Sequence, residues 1–234
     1  MNVYLGICVT LVIVLLGIMG VFSAGVFADQ VNPGVVSVEE KPYGQTYGDW
    51  SANWWQWVLS QPEEKNPLVD KTGELCAIGQ EGPVWFLGGT WGFPKVERNC
   101  TIPSGDAVLF PVYNGECSTA EEPTRKSYAE LRECVIQGNL SPGSQLFMEA
   151  KVDGKDLKNL ENYRVESQLF NVTLPANNVF GVKEGMTQAV ADGWFIMLEP
   201  LSKGTHTIEF NAVVIKPTGE QNFVTDATYH LVVN

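Results

Sequence analysis

The stretch Asp49-Trp50-Ser51-Ala52-Asn53-Trp54-Trp55-Gln56-Trp57-Val58-Leu59 constrains this chain more than any other. On a helix, Trp50, Trp54 and Trp57 stand at i, i+4 and i+7 on one stripe, and Trp55 and Val58 widen it. Four of the seven tryptophans thus fall within eight positions. Each indole buries on the order of 200 Å² and carries an N–H that wants a partner, so a short helix with four of them has to be clamped against something large. Two readings follow. Either the helix plugs one end of a β-sheet structure as core, or Trp50, Trp54, Trp57, Trp85 and Trp91 form an aromatic floor that binds sugar rings.

With 234 residues, 44% of them apolar, the chain has enough material for one sizeable core or two small ones. Its 27 acidic side chains outnumber 15 basic ones, for a formal charge of −12. A nucleic-acid partner is excluded on that count, because phosphate backbones are held by clustered Lys and Arg. The same balance disfavours docking on anionic lipid.

Residues 3–28 carry no charge and are long enough, at about 1.5 Å per residue, to cross a ~30 Å hydrocarbon core. Val26-Phe27-Ala28 before Asp29 suits a signal peptidase, whereas the uncharged n-region and the length of the apolar run suit a retained transmembrane anchor. Either way Asp29 onward is placed outside the membrane, at the cell surface or in the extracellular space. Cysteine usage agrees. Cys8 lies in the apolar segment, leaving Cys76, Cys100, Cys117 and Cys134, an even number for an oxidising compartment. Of the three pairings that four cysteines allow, Cys76–Cys100 and Cys117–Cys134 join neighbouring elements, and each bridge is expected to contribute about 3 kcal/mol.

Residues 29–47 read as a linker or an extended lead-in strand. The tryptophan helix ends at Ser60-Gln61-Pro62. Short aromatic or β-branched runs at 83–88, 96–102 and 107–113 read as a three-strand meander, with Val108-Leu109-Phe110 buried on both faces and Pro111 at an edge or bulge. A second helix is signalled by the Ser127/Glu130 capping box, a shared face of Tyr128, Leu131, Cys134 and Val135, and Gly138 as a stop. Strand grammar then dominates: 146–152 up to the Asp153-Gly154 turn, 163–165, 168–174, 193–198, 205–215 and 223–233. The fold class is mainly β, an antiparallel β-sandwich of Ig-like or jelly-roll-like type with two short helices in its first half. A boundary is placed near 143, giving 48–143 and 144–234 as two regions or one continuous domain.

The series Trp50, Trp54-Trp55-Gln56-Trp57, Asn66-Pro67, Cys76, Gln80, Gly82-Pro83-Val84-Trp85-Phe86-Leu87, Cys100-Thr101-Ile102-Pro103, Phe110-Pro111 and Glu116-Cys117, continued by Tyr163-Arg164 and Leu198-Glu199-Pro200-Leu201, resembles a family of uncharacterised secreted microbial proteins with a Trp-rich helix and a C-terminal β-sandwich. The resemblance implies export and fold, and no chemistry. Leu201-x-x-Gly204-x-His206-x-Ile208 is similar to hairpins of extracellular Ig-like and fibronectin-like sandwiches.

Three sequons, at Asn99, Asn139 and Asn171, are candidate glycosylation sites and would mark surface. Glu116, with Glu121 or Glu122, could supply the carboxylate pair of a glycoside hydrolase, although acids in a loop ahead of a helix N-terminus are equally placed there by the dipole and by Arg125 and Lys126. His206 and His230 have no cysteine near them in sequence, so a metal site is not indicated. Nucleophile-elbow, phosphate-loop and metal-protease motifs are absent, and no cofactor is implied. The function expected is that of an exported binding or structural protein, non-catalytic, for a glycan or an envelope partner. A secreted carbohydrate-active enzyme and an accessory subunit of a membrane-anchored complex are the alternatives.

Overall fold

A computed structural model of the chain describes residues 32–91 and 95–234. The apolar segment 3–28 lies outside the described residues, and among those described no helix is long and apolar enough to cross a membrane. Residues 32–234 belong to one compact unit that is mainly β, with two α-helices and two mixed sheets.

The first helix, α1 (Tyr47–Leu59), starts where Thr46 and Asp49 form a reciprocal capping box: the Asp49 N–H donates to Thr46 Oγ1, and the Thr46 N–H to Asp49 Oδ2. Three short runs follow, β1 (Val84–Phe86), β2 (Val96–Ile102) and β3 (Ala107–Ser118). The second helix, α2 (Tyr128–Asn139), uses the Ser127/Glu130 capping box legible in the sequence. Beyond it lie β4 (Gln145–Val152), β5 (Lys155–Asp156), β6 (Arg164–Glu166), β7 (Phe170–Leu174), β8 (Gly185–Leu198), β9 (Gly204–Ile215) and β10 (Gln221–Val233).

One sheet runs β1-β3-β8-β6 with β7 also on β8, and the other runs β2-β10-β9-β4-β5. Two of these pairings correct the antiparallel reading, because β1 lies parallel to β3 and β2 parallel to β10. The meander is corrected too. β2 leaves its sequence neighbours to join the opposite sheet, and a parallel pair needs the long crossover that the chain between β2 and β10 provides. For the same reason no boundary separates the regions 48–143 and 144–234: β3 pairs with β8 and β2 with β10 across it.

The two sheets share a core in which Val108, Phe110, Ile196 and Leu198 face Ile102, Phe210, Tyr229 and Leu231, with Phe110 and Phe210 stacked at 5.1 Å. The outer face of the first sheet, through Leu109, Phe195 and Met197, is covered by α1. That arrangement explains the continuous apolar run of β3, whose two faces belong to two cores. Gly48 lets α1 approach closely, since a Cβ there would collide with the Glu166 carbonyl. Residues 32–47 are packed and not a free tether: the Val36 N–H donates to Met197 O (2.9 Å), and Asn32 exchanges hydrogen bonds with the Lys158 backbone. Cys76 is bonded to Cys100, and Cys117 to Cys134, the latter tying β3 to α2.

Candidate functional site

The tryptophan helix is core. Trp50, Trp54 and Trp57 are buried, and each indole N–H donates to a backbone carbonyl, respectively Pro42 O (3.1 Å), Leu87 O (2.9 Å) and Ile78 O (2.7 Å). Trp85 is buried as well. The sugar floor proposed for Trp50, Trp54, Trp57, Trp85 and Trp91 is therefore not assembled, because a stacking platform must show its ring faces and four of the five rings have theirs against the core. Trp50 and Trp57 reach only the edge of an open groove with Phe86 and Asn171. Trp91 is the exception, 40% exposed and 5.5 Å from the Phe180 ring.

One indole of the helix lacks what its neighbours have. Trp55 is 4% exposed, and its Nε1–H meets no acceptor among the described residues. Trp55 lines a cavity of about 160 Å³ together with Trp54, Trp91, Asn114, Glu116 and Phe180. Asn114 Nδ2 and both carboxyl oxygens of Glu116 are likewise buried without a hydrogen-bond partner of good geometry. Buried polar groups are paired in the great majority of cases, so three side chains with orphaned atoms around one cavity require an explanation.

Local backbone geometry puts them there. Val112 is an extra residue in β3: Pro111 stands opposite Phe195 and Tyr113 opposite Trp194, with the register shifted between them. A bulge of this kind turns the alternation by one position and re-aims the side chains that follow. Val108, Phe110 and Val112 face the shared core before it; beyond it Tyr113 takes over on that side, and Asn114 and Glu116 swing to the cavity. β3 also runs on to Ser118, so Glu116 is a strand residue and not part of an acidic loop ahead of α2. Gly115 between them is required, since Asn139 packs where its Cβ would lie.

Burial, and then the neighbouring Glu121, hold the Glu116 carboxyl well above the usual carboxylate range. Glu121 is exposed, accepts from Ser118 Oγ (2.8 Å) and reaches the cavity rim. Glu122 does not join them; its partner is Arg125, at 3.9 Å. Among the described residues, no Lys, Arg or His lines the cavity.

The far wall is set by Arg98, 1% exposed and without a carboxylate partner among the described residues. Its guanidinium donates to Asp70 O (2.8 Å), Gly88 O (2.8 Å) and Gly89 O (2.9 Å), and to the Tyr229 hydroxyl. Those carbonyls belong to the segments carrying Leu68, Gly89, Thr90 and Trp91 into the cavity wall.

The remaining expected sites separate. Asn99 and Asn171 are exposed, whereas Asn139 is buried with its amide nitrogen donating to Asp192 O (2.8 Å) and Oδ1 (3.0 Å), so the Asn139 sequon is withdrawn from the surface. His206 pairs with Asp153 (2.8 Å) and His230 with Glu97 (2.8 Å), and no group of three or more potential metal ligands occurs among the described residues. Trp55, Asn114 and Phe180 were missed as site residues. The polar triplet Asn114-Gly115-Glu116 interrupting an apolar strand was the available signal.

Fold and site together define a disulfide-bonded, mainly β scaffold with an aromatic cavity holding a buried acid. No family model and no curated protein matches the chain. Among solved structures, it is similar at 17% identity and a TM-score of 0.20 to the cysteine protease inhibitor EhICP2 from Entamoeba histolytica, over 58% of this chain and 86% of that one. PbICP-C in complex with falcipain-2 gives 10% and 0.24 over 65% and 100%. Amebosin gives 11% and 0.18 over 60% and 96%. Scores this low carry no argument about fold or function.

Proposed function

We propose that this chain is an exported, non-catalytic binding protein of the cell surface or extracellular space, and that the end group of its ligand enters the cavity walled by Trp54, Trp55, Trp91, Asn114 and Glu116. The observation that carries this reading is the orphaned Trp55 N–H, in a helix whose other three indoles are all satisfied by backbone carbonyls. A bound ligand supplying an acceptor would complete the set, at a site that is concave, aromatic and sparing in polar groups, as ligand sites are. Two disulfides support export, since such bridges persist in oxidising compartments. The scaffold reads as a β-sandwich of Ig-like or jelly-roll-like type, supported by two sheets that share one core. Residues 3–28 act in this reading as the export signal or as a retained anchor.

A glycan terminus or another envelope component is the ligand class considered first, because Trp91 and Phe180 offer ring surface at the mouth. The rival reading, a carbohydrate-active enzyme, would use Glu116 and Glu121, both of which line the cavity. A glycosidic bond has to lie between carboxyl groups about 5 Å or more apart. The test is a titration of tryptophan fluorescence with a panel of mono- and oligosaccharides, small amines and amino acids, beside a hydrolysis screen. Saturable emission changes that Trp91→Ala removes, with no product released, are expected. Silence across the whole panel overturns the binding reading, and released sugar that Glu116→Gln abolishes establishes the enzyme.

A further inference from the structure

Resting on the binding reading above, the chemistry of the same cavity narrows what can enter it. Among the described residues its titratable lining groups are Glu116, Glu121 and Tyr113, all acids, and no basic side chain lines it. Both Glu116 oxygens are buried and lack a hydrogen-bond donor of good geometry. A buried carboxyl with no cation and no donor is costly in its charged form, so it stays protonated until a positive charge arrives to pair with it. Around it stand the rings of Trp54, Trp55, Trp91 and Phe180, and aromatic faces attract alkylammonium groups as well as apolar ones. The volume of about 160 Å³ matches an engineered cavity known to hold a single benzene ring. A group of roughly that size fills it.

The Trp55 and Asn114 N–H groups add a requirement. They are donors, so the entering molecule must carry an acceptor as well as a cation. Tyr113 contributes its bulk alone, because its hydroxyl donates to Asn139 O (2.8 Å) on the other side of the strand. A neutral sugar would meet the donors and offer Glu116 and Glu121 no positive charge. A carboxylate or phosphate ligand would be repelled by Glu121 and by a Glu116 that ionised. We infer that the cavity is a recognition site for a small organic ammonium group with a hydroxyl or carbonyl oxygen two or three bonds away, held by Glu116 and Glu121 on its charge and by Trp55 and Asn114 on its oxygen.

Because Glu116 is held protonated to higher pH than an ordinary glutamate, binding a permanent cation displaces a proton from it. Affinity then rises with pH through the Glu116 titration range. The probe is choline, whose charge does not change with pH, set against 3,3-dimethylbutan-1-ol, which has the same shape and hydroxyl without the charge. Calorimetry and Trp91 fluorescence on the exported, oxidised protein are expected to show choline binding at least ten-fold tighter than the neutral alcohol, more tightly at pH 8 than at pH 5, and at least ten-fold more weakly in Glu116→Gln. Glu121→Gln, at an exposed position, should weaken choline and leave the alcohol unchanged, which keeps the test alive if the Glu116 variant does not fold. Equal affinity for the two probes, or sugar binding with no choline binding, overturns the ammonium assignment and leaves the binding reading standing. If neither probe nor any sugar, amine or amino acid of the panel binds, both fall.

Discussion

Arg98 is the residue whose replacement should cost the fold most for one side chain. Among the described residues it has no ion-pair partner; it is buried against four backbone carbonyls and one phenol, and the Tyr229 hydroxyl passes the network on to Gly88 O at 2.8 Å. Replacing a buried ion pair with a hydrophobic pair can be neutral, but only when both partners are removed. Here the acceptors are Leu68 O, Asp70 O, Gly88 O and Gly89 O, which no substitution at position 98 can delete. Arg98→Met leaves these buried acceptors bare, at roughly 1–3 kcal/mol each before relaxation, and removing one side of such a network typically costs about 3–5 kcal/mol in all. For a domain of this size about 2–4 °C accompanies each kcal/mol, so Tm should fall by roughly 6–20 °C. Tyr229→Phe removes one hydroxyl from the same network and should cost about 1–2 kcal/mol. Reversible urea unfolding of the oxidised protein, monitored by far-UV circular dichroism, measures both. An Arg98→Met variant within 1 kcal/mol of the parent would show that the carbonyls never depended on the guanidinium, and the account of the cavity's far wall would fail with it.

Other substitutions separate core from site. Trp54→Ala should lose about 3–5 kcal/mol, as large core truncations do, while Trp91→Ala should stay within about 0.5 kcal/mol; equal effects in denaturant melts would refute their assignment to core and surface. Removing Cys117 and Cys134 together opens a loop of sequence separation 17 and should cost about 3 kcal/mol, with peptide mapping of the parent finding Cys117 joined to Cys134 and Cys76 to Cys100. Glu116 has a pKa raised above its ordinary value of 4.5, so its contribution to stability is present in full below that value and is lost as pH rises through the folded-state pKa. The gap between Glu116→Gln and the parent should therefore move in favour of the variant as pH rises, and parallel stability curves would sink the assignment. His206 is pulled down by burial and pulled up, with the greater total effect, by Asp153 and the Ser202 carbonyl. Its net rise stabilises the fold below about pH 6.5 and fades as pH climbs through the raised value. Asp153→Asn should lower the His206 midpoint in an NMR titration, and an unchanged midpoint would exclude the pairing.

Much of the fold was legible because alternation and capping are local signals. The runs at 96–102, 146–152 and 205–215 became β2, β4 and β9, and Ser127 with Glu130 opened α2. Pro111 was expected at an edge or a bulge and borders one. What sequence did not disclose depends on partners far along the chain. The parallel pairs β1 with β3 and β2 with β10 leave no period of their own, and the first half of β8, from Gly185 to Asp192, is interrupted by Gln188, Ala189 and Asp192. The site was least legible. Trp55 reads like its three neighbours until their hydrogen bonds are placed, and the shift at Val112 that buries Glu116 is a register property that no residue type announces.

The most direct measurement is a two-dimensional 15N–1H spectrum of the indole N–H groups, recorded while a ligand that saturates the Trp91 fluorescence change is added. The Trp55 resonance should move downfield as its N–H gains an acceptor, with the buried Trp85 and Trp194 resonances staying in place. A stationary Trp55 signal beside moving Trp50 and Trp57 signals would put the ligand in the open groove on the other side of the helix and contradict the cavity as its site.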